Sequence, residues 1–564
     1  MPAIGHPRCR KLAIHNSPGR FGHRAGRAGI MTERLTLPAL LDRHLAERPD
    51  APAFIDGEER ITYAEFDRLC RKAAAWLLAR GVQPGDRVAV WLVNRIEWLA
   101  LLFGLARIGA ALIAVNTRFR AAELEHVLRR SGARMLVLEP TFKKIDFPAI
   151  LADVDPAAAQ SVETAAVVRP DSRTMPRVLG KPTVAFDAFG SSVSDAPDRS
   201  DPEAIVALFT TSGTTKGPKL VMHPQRSIAC HARAVARGFA FDAPQSLVLA
   251  AIPFCGVFGF DLVLGAIAAG APAVIMDTFE AHGAVELIAR HKISHLFGSD
   301  EMARRMMELV PGRDPFPHLR LFGYAAFQPG SAELGKAGWE RRIPLVGLYG
   351  SSEAQALFAY QPLSLALEQR IEPGGLPVAG ASAEIRIRDV ETGEVVETGR
   401  SGEIEIRAPS LFAGYCNDAE ATAAAVRPDG FFRTGDIGRL REDGSFVFET
   451  RRGDAIRLGG FLVSPVEIED TLKRIPAVAD AQVIGVELDG QMRCAAFVIP
   501  AAGFAPREAE IIAGAHAIMA GFKVPARVWF LNEFPVTQSA NGTKIQRTKL
   551  REMAMERLRP SNAA

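Results

Sequence analysis

Residues 210 to 219 read Thr-Thr-Ser-Gly-Thr-Thr-Lys-Gly-Pro-Lys, ten positions that hold four threonines, one serine, two glycines and two lysines. Such a run can hold phosphate. Gly213 and Gly217 let consecutive amides point inward as an anion nest, Thr211, Ser212, Thr214 and Thr215 add hydroxyl donors, and Lys216 or Lys219 adds charge. Taken alone, the run also fits a flexible tract or an ordinary turn between a strand and a helix. A Walker loop is disfavoured: only three residues separate the glycines, Pro218 precedes the lysine, and Leu220 stands where a magnesium-binding hydroxyl belongs.

Three downstream positions carry further chemistry. Glu353 follows Ser352 in Tyr-Gly-Ser-Ser-Glu, a hard oxygen ligand beside a hydroxyl, which suits Mg²⁺ bridging nucleotide phosphates; alone it would read as an exposed loop carboxylate. Asp436 closes Phe-Arg-Thr-Gly-Asp, where a carboxylate after a glycine turn can accept hydrogen bonds from two vicinal hydroxyls or serve as an Asx-turn residue. Lys544, in Asn-Gly-Thr-Lys-Ile-Gln-Arg, is by itself a solvated surface lysine. If mobile, its ammonium can neutralise the charge that builds when a carboxylate attacks a phosphate.

The elements that position these residues follow from periodicity. The apolar run 204–209 before the phosphate-type loop predicts a buried strand. Phe66, Leu69, Ala73 and Leu77 share a helical face that Gly81 ends, and the run from Val88 to Leu92 predicts a strand. A helix through Trp98, Leu102 and Leu105 stops at Gly109 before the strand-like Leu112 to Val115. This βαβ order predicts a parallel sheet flanked by helices. Residues 153–200 read as an irregular connection with one short strand, and a second βα stretch runs from about 246 to 350. Beyond about 380 come short strands with hairpin turns, and from about 455 a small α+β domain.

With five segments in place, the chain resembles the adenylate-forming superfamily of acyl-CoA synthetases, peptide-synthetase adenylation domains and luciferases. The segments are 210–219, 349–353, 432–436, 451–469 and 541–547, in that family's order and approximate spacing, and the resemblance runs from about residue 32 to the C-terminus. It implies an α/β fold: a large N-terminal domain of βα layered sheets with a distorted β-barrel-like part, over 31–452, and a small mobile α+β C-terminal domain, over 453–564, with a hinge near Gly453. It implies ATP as substrate with Mg²⁺ on Glu353, Ser352 on the α-phosphate, and Tyr349 walling the adenine and acyl sites. Asp436 and Arg451 would take the ribose and phosphate, and Gly323, Tyr324 and Ala325 the adenine, with Tyr324 either stacked on the base or packed under its loop. Lys544 would be the catalytic lysine. After domain rotation Arg457, Gly459 and Gly460 would face coenzyme A, the glycines leaving room for a pantetheine thiol.

Departures from the family pattern bear on the substrate. Lys216 replaces a usual glycine, Gly453 occupies a hinge position that is commonly Asp or Lys, and Thr543 separates Gly542 from Lys544. Gly256 stands where a histidine or large aromatic often enters the acyl pocket. Together with Phe254, Phe258, Gly298 and Ser299 it predicts a widened apolar cleft for a medium or long fatty acid or a bulky aromatic acid. The reaction expected is carboxylate plus ATP giving acyl-AMP, then a CoA thioester; a stand-alone adenylation enzyme loading an acyl carrier protein is the alternative.

Composition bounds the rest. The 564 residues are 48% hydrophobic and 23% charged with a net charge of +3, and no basic stripe suggests nucleic acid as a partner. No apolar run is long enough to span a bilayer. Six scattered cysteines suit a reduced, cytoplasmic protein, and a homodimer is compatible with this reading. Residues 1–30, with six Lys and Arg and no acid, read as a disordered basic extension.

Overall fold

The computed structural model describes residues 34–142, 145–168, 177–186, 196–211, 218–326, 331–458, 461–488, 491–519, 521–539 and 542–558. The basic extension 1–30 lies outside them. Leu35–Ala564 form one compact unit.

Helices predicted from periodicity form where expected. Tyr63–Ala79 starts at a Thr62–Glu65 capping box, and Ile96–Ile108 ends at Gly109, whose φ of +73° is a left-handed cap that favours glycine. Every residue of Ile96–Ile108 is buried, as are all but one of Val257–Ala269. Helices apolar on all sides must lie inside. Both belong to a cluster that also takes Val88 and Val90 from one sheet and Val248 and Ala250 from another, so the main core lies between two sheets.

The first sheet has nine strands. Its central members Ala111–Ala114, Arg87–Trp91, Met135–Leu138 and Thr164–Val168 are parallel, and Ile205–Thr210 joins them in parallel beside Ala111–Ala114. Leu220–Pro224 then pairs antiparallel with Ile205–Thr210, and Gly414–Tyr415 with Leu220–Pro224. The region 153–200, expected to hold one short strand, contributes three: Thr164–Val168, Arg177–Val178 and Lys181–Phe186.

The second sheet has thirteen strands. From Pro52–Asp56 through His295–Ser299, Leu321–Ala325 and Leu345–Ser351 it is parallel. From Gln355–Tyr360 onward, through Gly374–Pro377, Phe446–Arg451, Phe432–Leu440, Gly402–Arg407 and Glu384–Arg388, it is antiparallel. The expected barrel-like part is therefore corrected: among the described residues no closed barrel forms, and those strands extend the second sheet.

The C-terminal part is α+β. Val478–Leu488 and Gln491–Pro500 form a hairpin, and Arg527–Phe530 adds in parallel. Helices Pro465–Leu472 and Glu508–Ile518 accompany this sheet, with a terminal helix, Arg547–Leu558, that the sequence pattern did not reveal. Two short hairpins, Ile456–Leu458 with Phe461–Val463 and Val536–Ser539 with Gly542–Ile545, complete it.

Candidate active site

The phosphate-type loop joins two antiparallel strands. Thr210 pairs with Leu220, and helix Gln225–Gly238 begins only after the second strand, so the strand-to-helix reading is excluded along with the Walker topology. The loop's base is clipped twice: the Thr211 amide donates to the Lys219 carbonyl at 2.9 Å, and the Lys219 amide to Thr211 Oγ1 at 3.1 Å. His126 holds the Pro218 carbonyl at 2.7 Å. Ser212, Gly213, Thr214, Thr215 and Lys216 lie outside the described residues.

Beside that base stands Tyr415, which sequence reasoning missed. Its strand pairs with Leu220–Pro224, with Tyr415 opposite Val221. The Lys219 ammonium lies 4.4 Å from the Tyr415 ring centre, and the Tyr415 hydroxyl donates to Glu353 Oε1 at 2.9 Å. One phenol thus links the phosphate-type loop to the expected metal ligand, 62 residues away along the chain. Burial and the Glu353 carboxylate hold the phenol well above its ordinary range, so it stays a donor.

Glu353 and Ser352 sit in the turn between Leu345–Ser351 and Gln355–Tyr360, where the second sheet changes from parallel to antiparallel. Ligands of α/β sheets gather outside the carboxyl ends of parallel strands, and this turn lies there. Tyr349 is buried and donates to Asp436 Oδ2 at 2.6 Å. Strand register puts Arg451 opposite Asp436, with Arg451 Nη1 at 2.9 Å from Oδ1. Thr434 Oγ1 accepts from the Asp436 amide at 3.0 Å. Burial raises the Asp436 carboxyl against the pull of Arg451. Asp436, expected as a ribose acceptor, is thus held by groups from two strands.

The neighbouring parallel strands carry the adenine segment. Gly323 is crowded: a Cβ there would lie 2.7 Å from the Phe297 ring. Tyr324 is fully buried and donates to the Ile371 carbonyl at 3.0 Å, a placement that matches the packed one of its two readings. Ala325 is half-buried at the strand's carboxyl end, level with Ser299.

At the expected acyl pocket Phe254 is buried with its ring 5.9 Å from Trp98, and Phe258 is buried in the same core cluster. Ser299 caps helix Asp300–Leu309, its Oγ accepting from the Met302 amide at 3.2 Å, and that cap engages its hydroxyl. Gly298 backs onto Met302, which a Cβ would meet at 3.2 Å, and Gly256 is the N-cap of Val257–Ala269. Two surface recesses of about 590 and 600 Å³, beside Arg439 and beside His516, contain none of these residues.

In the C-terminal part Lys544 pairs opposite Thr537, and Arg457 opposite Leu462. The side chains of Lys544 and Arg457 lie outside the description, as do Gly459 and Gly460. Arg547 is the described anchor of the Lys544 hairpin: Nη1 and Nη2 donate to Glu469 Oε1 and Oε2 at 2.7 and 2.9 Å. At the expected hinge, contacts change sides. Arg452 donates to Glu403 at 3.1 Å, while the Gly453 carbonyl and Asp454 Oδ1 each accept from Arg551 of the terminal helix at 2.7 Å.

The family model described as AMP-binding enzyme matches residues 41–416, and that described as AMP-binding enzyme C-terminal domain matches residues 467–541. The chain belongs to the AMP-binding enzyme family. Within this adenylate-forming superfamily it is an AMP-forming acid–thiol ligase. A methyl-dioxo-octahydro-indenyl-propanoyl:CoA ligase of Mycobacterium tuberculosis is 31% identical over 93% of this chain and 100% of its own. The 2-succinylbenzoate–CoA ligase of Geobacillus kaustophilus is 31% identical over 89% and 95%. Among solved structures, ATP-bound MatB from Rhodopseudomonas palustris superposes with a TM-score of 0.77 at 26% identity, covering 92% of this chain and 98% of that one.

Proposed function

We propose that the enzyme activates a bulky, ring-bearing carboxylic acid as its acyl-adenylate and transfers the acyl group to coenzyme A. The observation that carries the site assignment is the convergence of Lys219, Tyr415 and Glu353 with Tyr349, Asp436 and Arg451 on the strand ends around one hairpin. The ring-bearing acids named for the two CoA ligases support the choice over a fatty acid, and Gly256, in place of a large side chain, is compatible with bulk.

In this reading the 210–219 loop holds the β- and γ-phosphates, Asp436 accepts from the ribose hydroxyls, and Arg451 steadies Asp436. Ser352 donates to the α-phosphate. Glu353 fits a magnesium site: it is a hard oxygen donor fixed at one oxygen by Tyr415. Among the described residues no cluster of three His, Cys, Asp or Glu could cage a metal, which suits an ion that takes one or two carboxylates and completes its shell with phosphates and water. Bound there, the ion would neutralise phosphate charge. Lys544 would stabilise the charge that builds on the α-phosphoryl oxygens as the carboxylate attacks.

Residues 453–564 act as a lid that turns about Gly453, where contacts pass from Glu403 on one side to Arg551 on the other. Turning exchanges Lys544 for the Gly459–Gly460 segment, which lets a thiol reach the adenylate. The experiment is AMP release with a panel of aryl, polycyclic and fatty acids, with and without CoA. CoA-dependent turnover restricted to ring-bearing acids is expected. Preference for fatty acids overturns the substrate class, and CoA-independent turnover favours a carrier protein as acceptor.

A further inference from the structure

The segment Ser352–Ala356 is fastened from beneath by buried side chains of three other elements. His223, on Leu220–Pro224, has Nε2 at 2.8 Å from the Ser352 carbonyl. His231, on Gln225–Gly238, has Nε2 at 2.6 Å from the Ala356 carbonyl. Ser410 Oγ donates to the Ala354 carbonyl at 3.0 Å, and the Phe412 amide takes the Glu353 carbonyl at 2.9 Å. The Gln355 side chain reaches outward to the carbonyls of Ser227 and Ser410 at 3.1 and 2.9 Å. A carbonyl only accepts, so each imidazole carries its proton on Nε2.

This fastening is more than the hairpin's own pairing supplies. Gln355 and Leu357 have φ of +70° and +56°, the left-handed region that side chains other than glycine's rarely enter. Such backbone persists when its surroundings over-determine it. His223, His231, Gln355 and Ser410 are each no more than 2% exposed, and His223 Nδ1 has no hydrogen-bond partner among the described residues. Among the described residues the His223 imidazole therefore makes its polar contact through Nε2 alone.

We propose that His223 and His231 are positioning residues for Ser352 and Glu353: paired Nε2–H donors that hold the strained hairpin on the one path that aims the Glu353 carboxylate and the Ser352 hydroxyl at the nucleotide. The proposal rests on the assignment of Glu353 to a magnesium-bound triphosphate. It adds two residues that touch neither nucleotide nor acid and act through the backbone.

The test is calorimetric binding of a non-hydrolysable ATP analogue across a magnesium series, with thermal melts of the same samples. His223→Phe and His231→Phe keep ring volume and remove the donor, while His223→Gln and His231→Gln restore an N–H. The Phe variants should need about tenfold more Mg²⁺ for half-maximal binding, the scale of one lost buried hydrogen bond. The Gln variants should recover most of that loss. A lowered melting temperature with an unchanged magnesium requirement overturns the proposal, because that is the signature of packing alone. Should H231F fail to fold, H223F and Ser410→Ala carry the test, since each frees one carbonyl of the segment. If wild-type binding of the analogue shows no magnesium dependence, the Glu353 assignment itself falls, and this proposal with it.

Discussion

Glu353 and Asp436 are each held by a tyrosine from another element, at 2.9 and 2.6 Å, whereas Lys544 and Arg457 sit on two-stranded hairpins of the smaller C-terminal domain. In the first region the polar atoms expected to meet substrate are fixed before it arrives. In the second, the fixed pair is Glu469–Arg547, which anchors the Lys544 hairpin. The contrast teaches a division of labour. In the proposed mechanism, groups that bind throughout the reaction gain from preorganisation, and a group used in only one half-reaction would be carried on the part proposed to turn.

Acid should separate the two regions most. Burial holds His44, His223, His231 and His295 down to about 4, and all four precede residue 300. Their folded values lie below the unfolded 6.5, so the unfolded chain binds more protons between about 4 and 6.5. The stability they support is present above pH 6.5, falls as pH drops toward 4, and levels off below. Asp261 and Asp436, both raised by burial, oppose this. Calorimetry from pH 7 to 4 should show the N-terminal transition moving down ahead of the C-terminal one; transitions that move together would break the comparison.

Lys544→Ala comes next, with carboxylate-dependent pyrophosphate exchange expected to fall about 10³-fold, the scale of a lost transition-state charge contact. Thioester formation from supplied acyl-adenylate should survive. Equal loss of both half-reactions would show that the lysine is not specific to one lid pose. Glu469→Ala leaves the half-buried Arg547 without its carboxylate and should cost the C-terminal domain about 3 kcal/mol. Binding of the ATP analogue should stay near wild type, and a large loss of affinity would mean the two regions are not independent. Tyr415→Phe is the mildest, about tenfold weaker binding of Mg-ATP with little change in melting temperature.

Much of the fold was legible in the sequence because local signals and tertiary placement agree. Gly109 marks a helix end since no other residue takes its φ of +73° as readily, and the all-apolar Val257–Ala269 reads as interior. Strands Thr164–Val168 and Lys181–Phe186 were missed in part because Ala, Pro, Ser and Asp are frequent in the surrounding region, which hides two short runs that pair inside the sheet. Helix Arg547–Leu558 buries only Leu550 and Ala554 among the described side chains, too few for a periodic stripe.

At the site, motif residues were legible as types but not as contacts. Tyr415 lies 62 residues from Glu353, and nothing local announces that register brings them together. His223, on a strand, and His231, on a helix, carry no local signal that marks them. Tyr324 shows the converse. Its place in a motif left a ligand contact and packing under the loop both open, and strand alternation turns the ring into the core, where Ile371 satisfies its hydroxyl.

The reversal of strand direction between Ser351 and Gln355 has a consequence for the order in which the enzyme acquires affinity during folding. The antiparallel half can zip through neighbouring hairpins, Asp436 meeting Arg451 across one turn, while the parallel half must close long crossovers first. The Tyr349–Asp436 contact joins the halves across 87 residues. Nucleotide affinity should therefore emerge late in refolding, after most secondary structure, which makes ATP binding a reporter of the final docking of the two halves.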